Sequence, residues 1–413
     1  MPNAKRMLVF HSAYTFEYLR KFGMEVFVQS RDAEEFFETV LTVSPLATLQ
    51  YDPHDPRLIS APEFFQLDER NIILEGRLGR FHVLQRMKIL NFIVAQISLV
   101  LTLYKHGKLR DVELIRAEDA RLNGIYGYFF SRILQKPLVI GVWGNPGRLR
   151  KLTGKPNMPR LFPSKRIEEL VEKFLLRCAS IVLAQNSENM NYALEAGVDP
   201  AKTRITPLGV GIDKAHFLPL DERQDVSGDL RRWSISKEFV LVCISRLEAL
   251  KMVDHAIRSC QVLDESHIPF KLILIGDGRE RESLEHLAKE LGLQNQIIFA
   301  GNRSQEWISG ILARANLNIA PLCGRALLEA SLAGCPAVSY NVDWHDEIVQ
   351  SGITGELITN LDFRAMGETI QTLLENEDTR LRMSVNMRKL AFELADPAKI
   401  AREQVKIYQE LIG

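Results

Sequence analysis

The sequence predicts an α/β protein made of two doubly wound, mostly parallel sheets, and three observations predict it. Short apolar runs alternate with amphipathic segments along the whole chain, the pattern of buried strands joined by crossover helices. At 413 residues the chain exceeds one ordinary core, so two domains of roughly 200 residues are expected. A composition of 46% apolar and 25% charged residues is that of a globular protein.

In the first half, Met7–His11, Val26–Gln29, Val112–Arg116, Leu138–Val142 and Ser180–Ala184 read as buried strands. Tyr14–Phe22, Asp32–Leu41 and Gly124–Leu134 read as helices between them, and Arg204–Pro207 as a short last strand stopped by proline. The apolar segment Ile89–Tyr104 is short for a membrane span and contains Asn91, Gln96 and Ser98, so a buried helix is expected. The charged stretch Leu218–Lys237 is the expected linker. Beyond it strands and helices alternate regularly: Phe239–Ser245, Val253–Glu265, Phe270–Ile275, Arg279–Leu291, Gln296–Ala300, Gln305–Ala313, Leu317–Pro321, Leu327–Ala333 and Ala337–Tyr340. The last part, Asp362–Asn376, Asp378–Leu394 and Pro397–Ile412, is helical. The expected domains are residues 1–217 and 218–395, with 396–413 a C-terminal helix returning to the first.

Charge is balanced overall but unevenly shared. Residues 1–210 hold 29 Lys+Arg against 22 Asp+Glu, which leaves the remainder at −7. Residues 77–110 and 147–166 each carry seven cations and no acid. Such a sided field steers anionic partners, either as a plain solvated surface or toward acidic phospholipid or the phosphate of a lipid-linked acceptor. No nucleic-acid module accompanies it, so nucleic acid is not an expected partner. Five scattered cysteines lack metal-ligand spacing, so neither a zinc site nor a disulfide framework is expected. No signal peptide is read at Met1–Arg6, and the cytoplasm, with possible membrane association, is the expected location.

The chemistry concentrates in the second half. Arg246 and Lys251 lie just past a strand, where a planar fork and a point charge can offset two phosphates without a metal. Gly276, in Gly276-Asp277-Gly278, lets backbone approach a ligand closely. Gly324, Arg325 and Ala326 open a helix whose amides face an anion, and Glu329, about one turn in, can take two ribose hydroxyls.

These pieces, in order, resemble the donor-binding half of a family 4 glycosyltransferase. The matching motifs are Pro207–Asp213 with Phe217, Ser245-Arg246-Leu247 to Lys251, Ile275–Gly278 with Arg281-Glu282, Phe299-Ala300-Gly301, Leu327–Ala330 with Ala333–Pro336, and Glu347–Val349 with Gly352 to Gly355. The resemblance implies the GT-B fold, two Rossmann-like doubly wound domains facing a cleft. It also implies Arg246 and Lys251 on the diphosphate, Glu329 on the ribose, Gly301 and Asn302 beside the base, and retention at the anomeric carbon. Relatives carry a second glutamate eight positions earlier, where this chain has Pro321, and the loop is shortened to Leu322–Arg325. Trp344 and His345 stand where glycines are commoner and are candidate sugar contacts, with loop packing the alternative. The first half matches loosely. His11, Glu118, Asp119, Trp143 and Asn145 fall at strand ends and are candidate acceptor contacts. The expected function is transfer of a sugar from a nucleoside diphosphate sugar, the donor substrate, to a hydroxyl of a glycan or lipid-linked acceptor, with no cofactor and no metal. A nucleotide-sugar epimerase and a non-catalytic binding subunit are the alternatives.

Overall fold

The computed structural model describes residues 5–12, 14–33, 35–46, 55–105, 109, 111–159, 161–206 and 211–413. Residues 207–210 of the Pro207–Asp213 motif, and the cations Lys108, Arg110 and Arg160, lie outside that set. The chain divides into two compact units, Met1–Gly211 with Pro397–Gly413, and Ile212–Asp396. Residues 212–217 thus fall in the second unit rather than the first. His216 is fully buried there, its ring 2.9 Å from Gln305 and its carbonyl accepting from Arg223.

In the first unit, β1 (Arg6–Phe10) leads through helices α1 (Phe16–Lys21) and α2 (Val26–Gln29) to β2 (Thr39–Ser44). A hairpin of β3 (Glu63–Gln66) and β4 (Asn71–Glu75) follows, then α3 (Lys88–Lys105) and β5 (Val112–Ala117). Next come α4 (Leu122–Leu134), β6 (Leu138–Val142), α5 (Pro146–Thr153), α6 (Lys165–Cys178), β7 (Ile181–Ala184), α7 (Ser187–Glu195) and β8 (Thr203–Ile205). The sheet order is β3-β4-β2-β1-β5-β6-β7-β8, parallel throughout except for β3. Alternation along β1 splits the core. Leu8 and Phe10 join Leu99, Phe130 and Leu175 beneath α3, α4 and α6, while Met7 and Val9 join Phe37, Ile407 and Tyr408 on the other face.

Four expectations are corrected. Val26–Gln29 is a single helical turn, not a strand. Asp32–Leu41 is not a helix, because Ala33 turns left-handed at φ +52° and the β-branched run from Thr39 pairs with β1. The β3–β4 hairpin was not foreseen; Asp68 makes its turn by accepting the amides of Arg70 and Asn71. Finally, α3 is not a buried helix. Asn91, Ala95, Leu99 and Leu103 pack inward, but Ile93, Ile97 and Leu101 face out. By length and composition alone it is apolar enough to cross a membrane.

The second unit holds α8 (Ser227–Arg232), β9 (Phe239–Ile244), α9 (Val253–Glu265), β10 (Phe270–Ile275), α10 (Arg281–Glu290), β11 (Ile297–Gly301) and α11 (Gln305–Leu312). It continues with β12 (Leu317–Ala320), α12 (Ala326–Leu332), β13 (Ala337–Tyr340), β14 (Gly355–Ile358), α13 (Phe363–Glu375) and α14 (Glu377–Ala395). The last helix, α15 (Pro397–Ile412), belongs to the first unit, where Tyr408 accepts from Arg116 at 2.7 Å and Glu410 pairs with Arg204. All six strands are parallel in the order β11-β10-β9-β12-β13-β14. Both units are therefore Rossmann-like sheets with a reversal of strand order, between β1 and β5 in one and between β9 and β12 in the other.

Helices α9 and α13 touch most closely at Gly367, where an added Cβ would stand 2.4 Å from the Ser259 carbonyl oxygen. Gly367→Ala gains about 1 kcal/mol of helix propensity. Overpacking against backbone costs about 1–3 kcal/mol, so the net effect is destabilising. Urea unfolding followed by circular dichroism will show a lower midpoint; a raised one contradicts the contact.

Candidate functional site

Each expected site residue of the second unit lies at or just past the carboxyl end of a strand. From β9 the chain runs through Ser245 and Arg246 into a short 3₁₀ turn, Ala249–Lys251, and Met252 starts α9 from a left-handed conformation. Gly276 crosses over this segment. Its φ is +132°, and an added Cβ would sit 2.0 Å from the Ser245 carbonyl oxygen, so only glycine fits. Gly276 N–H also donates to Gly301 at 2.9 Å, which ties the ends of β10 and β11 together. Asn302 is exposed beside them.

At the strand-order reversal, the loop after β12 lies against the end of β9. Cys323 donates its thiol to the Ile244 carbonyl, 3.5 Å away. Burial pushes that thiol up to about 11, with the Glu329 carboxylate adding to it; Lys251 and the amides of Gly324 and Leu327 pull the other way. The Gly324 amide therefore lies against its neighbour's sulfur. Lys251 in turn is lowered by burial and by Arg246, against the opposing pull of Cys323. Arg246, Lys251, Cys323 and Glu329 thus form one electrostatic group. Arg246 is exposed, and among the described residues it has no ion pair. Glu329 is only 6% exposed and lies 3.5 Å from Arg325 Nε. Opposite Arg325, the side of Gly324 is open space.

His345 does not face a ligand. It is fully buried, with one ring nitrogen 2.6 Å from Ser339 Oγ and the other 3.2 Å from the Cys323 carbonyl. Trp344 is buried edge-on against it. Their burial corrects both as sugar contacts: His345 braces the Cys323 loop, and Trp344 packs against His345. Cys323 itself was missed, and its signal was the apolar Pro321-Leu322-Cys323 run directly before the glycine.

The first unit builds a charged cluster at its own reversal. His11 follows β1, and Glu118 follows β5 with its amide bonded to Phe10. Arg31 donates to His11 Nδ1 at 2.7 Å and to Thr42 at 2.9 Å. Glu118 lies 3.5 Å from Arg31 and 3.0 Å from Arg116, and Trp143 Nε1–H donates to it at 2.5 Å. Burial opposes the Glu118 carboxylate, yet Arg116 and then Arg31 hold it down near 2. Two guanidiniums share this one acid, which leaves the cluster cationic. Arg31 and Arg116 were missed in the sequence because one sits in a 3₁₀ turn and the other on a strand. Asp119 is used locally, accepting from Arg121 and Asn123. Asn145 is likewise structural: it caps α5 through the Arg148 amide and donates to Glu188.

With this geometry in place, the comparisons with known proteins can be stated. Residues 230–390 match the family described as glycosyl transferases group 1. The chain is 22% identical over 296 residues to alpha-D-kanosaminyltransferase of Streptomyces kanamyceticus, covering 69% of this chain and 74% of that one. It is 27% identical to N-acetyl-alpha-D-glucosaminyl L-malate synthase of Bacillus anthracis, covering 58% of this chain and less than two thirds, 62%, of the relative. Among solved structures, Anabaena HepE in complex with UDP superposes with a TM-score of 0.69 at 19% identity, over 98% of this chain and 100% of that one. Sucrose-phosphate synthase from Thermosynechococcus elongatus gives 0.75 at 16% identity, over 98% and 99%. The fold is therefore GT-B. Residues 230–390 resemble group 1 glycosyltransferases, and the relatives matched are sugar-transferring enzymes.

The His11 cluster makes a pH prediction. Burial, then Arg31, lowers His11 from 6.5 to about 3, so the folded state keeps it neutral while the unfolded chain takes up a proton below 6.5. Stability therefore falls as pH drops from 6.5 toward 3, and Glu118, lowered from 4.5 to about 2, adds its own loss only below 4.5. Thermal melts of His11→Asn will be flatter than wild type between pH 6.5 and 4.5, with the steeper limb below 4.5 retained.

Proposed function

We propose that the chain transfers a sugar from a nucleoside diphosphate sugar to a hydroxyl of a glycan or lipid-linked acceptor, with retention at the anomeric carbon. The proposed setting is the cytoplasm, at a membrane surface that carries the acceptor. The observation that supports this best is the placement of Arg246 and Lys251 just past β9 and of Glu329 on the helix that follows β12, at the strand-order reversal of the second sheet, where the Cys323 thiol joins the two strand ends. Ligands of open parallel sheets bind at such reversals, beyond the carboxyl ends of the strands. UDP in the HepE structure and the sugar-transferring relatives agree with a nucleotide-sugar donor.

In this reading the diphosphate meets the exposed Arg246 fork and the Lys251 ammonium. As the glycosidic bond breaks, negative charge builds on the departing diphosphate, and both cations stabilise that charge more than the ground state. Glu329 takes the ribose hydroxyls from the far side of the Cys323 loop. Gly276 and Gly301 leave backbone accessible near the base, with Asn302 beside them. The Pro321 position offers no carboxylate, so the sugar is held by Arg325 and the backbone around Gly324. Acceptor contacts in the first unit fall to the cationic His11–Arg31–Arg116–Glu118 cluster and Trp143. Arg246 and Lys251 carry the leaving charge, so no metal is required.

Glu329→Ala will weaken UDP binding in calorimetry by about 1.5–3 kcal/mol for each lost bond to a charged acceptor. Unchanged affinity removes Glu329 from the ribose. Lys251→Ala will lower kcat by about 10²-fold while the melting temperature stays near wild type. A pH series separates the role further. The Lys251 pKa lies below 10.5, and only its charged form pairs with diphosphate, so wild-type UDP affinity falls as pH rises through that value. In Lys251→Ala that decline is absent. EDTA will leave turnover unchanged; abolished turnover overturns the metal-free scheme.

A further inference from the structure

We propose that the outer face of α3, α4 and α6 is a docking surface for a bilayer carrying anionic lipid. The proposal extends the reading of a transferase with a lipid-linked acceptor and rests on it for its purpose, while its geometry stands within the first unit alone.

Three neighbouring helices cover one face of the eight-stranded sheet. Leu99 of α3, Phe130 of α4 and Leu175 of α6 enter the same core, Tyr126 of α4 bonds Gln96 of α3, and Tyr128 of α4 packs edge-on against Phe174 of α6. Such helices ordinarily turn polar residues outward. These carry apolar residues on both sides. Ile93 and Ile97 of α3, Phe129 and Ile133 of α4, and Leu170 and Phe174 of α6 each repeat at four-residue spacing on the solvent side. Ile97 is 53% exposed, Phe129 47% and Phe174 51%. Contiguous apolar surface on this scale marks an interaction site.

Charge selects the occupant. Neither α3 nor α4 contains an acidic residue. On α6, Glu168 and Glu172 are buried against Arg150, and Glu169 is paired with Lys173. Exposed Lys88 and Lys105 stand at the two ends of α3, Arg132 near the end of α4, and Lys165 and Arg166 at the start of α6. On the flank of α6, a cavity of about 560 Å³ is lined by Arg148, Lys151, Lys165, Arg166 and Lys173 against Glu169 and Glu195. A second copy docked face to face would set these cations largely against themselves, since among the described residues the acids of α6 are buried or paired and α3 and α4 carry none. Phosphate headgroups complement both parts, the apolar stripes entering the acyl boundary and the lysines and arginines the headgroup layer.

The arrangement also fixes the mode of contact. Leu99 and Leu103 of α3 are built into the core, and Asn91 holds the amides of Arg80 and Phe81. α3 therefore lies along the surface and does not cross it.

Flotation of the full chain with phosphatidylcholine vesicles, with and without phosphatidylglycerol, tests the proposal. Binding is expected to the anionic vesicles and to fall with salt. A paired Ile97→Glu, Phe129→Glu variant, and separately Lys165→Glu with Arg166→Glu, should each reduce it at least about ten-fold. UDP affinity, measured without vesicles, should stay at wild type for both. Negligible binding to either vesicle, or equal binding to both, overturns the proposal. So does a wild-type dimer in light scattering that the Ile97→Glu, Phe129→Glu variant dissociates. Loss of UDP binding by the wild type would instead defeat the donor reading and leave the vesicle result standing.

Discussion

The reversal of strand order within each sheet is the constraint on which the rest depends. In the second unit the chain leaving β9 goes to α9, whose Val253 and Ile257 enter one face of the core, while the chain leaving β12 goes to α12, whose Ala330 enters the other. Two connections that part in this way cannot cover the edge between them, so an opening at β9 and β12 follows from topology before any side chain is chosen. The first unit repeats the device. Phe37 follows β1 onto one face and Phe130 follows β5 onto the other, and His11 and Glu118 sit at the parting.

What fills the two openings differs in physical kind. In the second unit the loop is held by a thiol and a buried imidazole. Neither Arg246 nor Lys251 has an ion pair among the described residues. In the first unit two buried guanidiniums share one carboxylate. Arg31, Arg116, Glu118 and Trp143 interlock in a dry pocket, where truncating one partner would leave the others unpaired.

Legibility in the sequence followed the same physics. Strands buried on both faces, such as Phe270–Ile275 and Ala337–Tyr340, are continuous apolar runs and were read to the residue. Asp32–Leu41 was misread because its apolar residues fit a helical period, while the left-handed Ala33 that breaks it leaves no mark in the sequence. The places of Arg246 and Lys251 were legible because they follow the apolar strand run from Phe239, and that of Glu329 because its helix follows the Gly324 turn. Arg31 and Arg116 were not, since an arginine buried by tertiary packing looks like a surface arginine. His345 and Trp344 carried the right chemistry for a sugar pocket, but their burial comes from Ser339 and the Cys323 carbonyl, neighbours that spacing alone does not reveal. For α3 the composition was read correctly and the direction of its apolar face was not.

The place of α15 has a consequence for synthesis. Tyr408 and Ile407 complete the face of the first sheet that Met7 and Val9 begin, so that layer needs segments about 400 residues apart. On a ribosome, residues 212–396 have all their partners in hand while the earlier-made strands still wait for the final helix. The segment translated later is then the first that can close its core, while Met7, Val9 and Phe37 wait for residues 397–413.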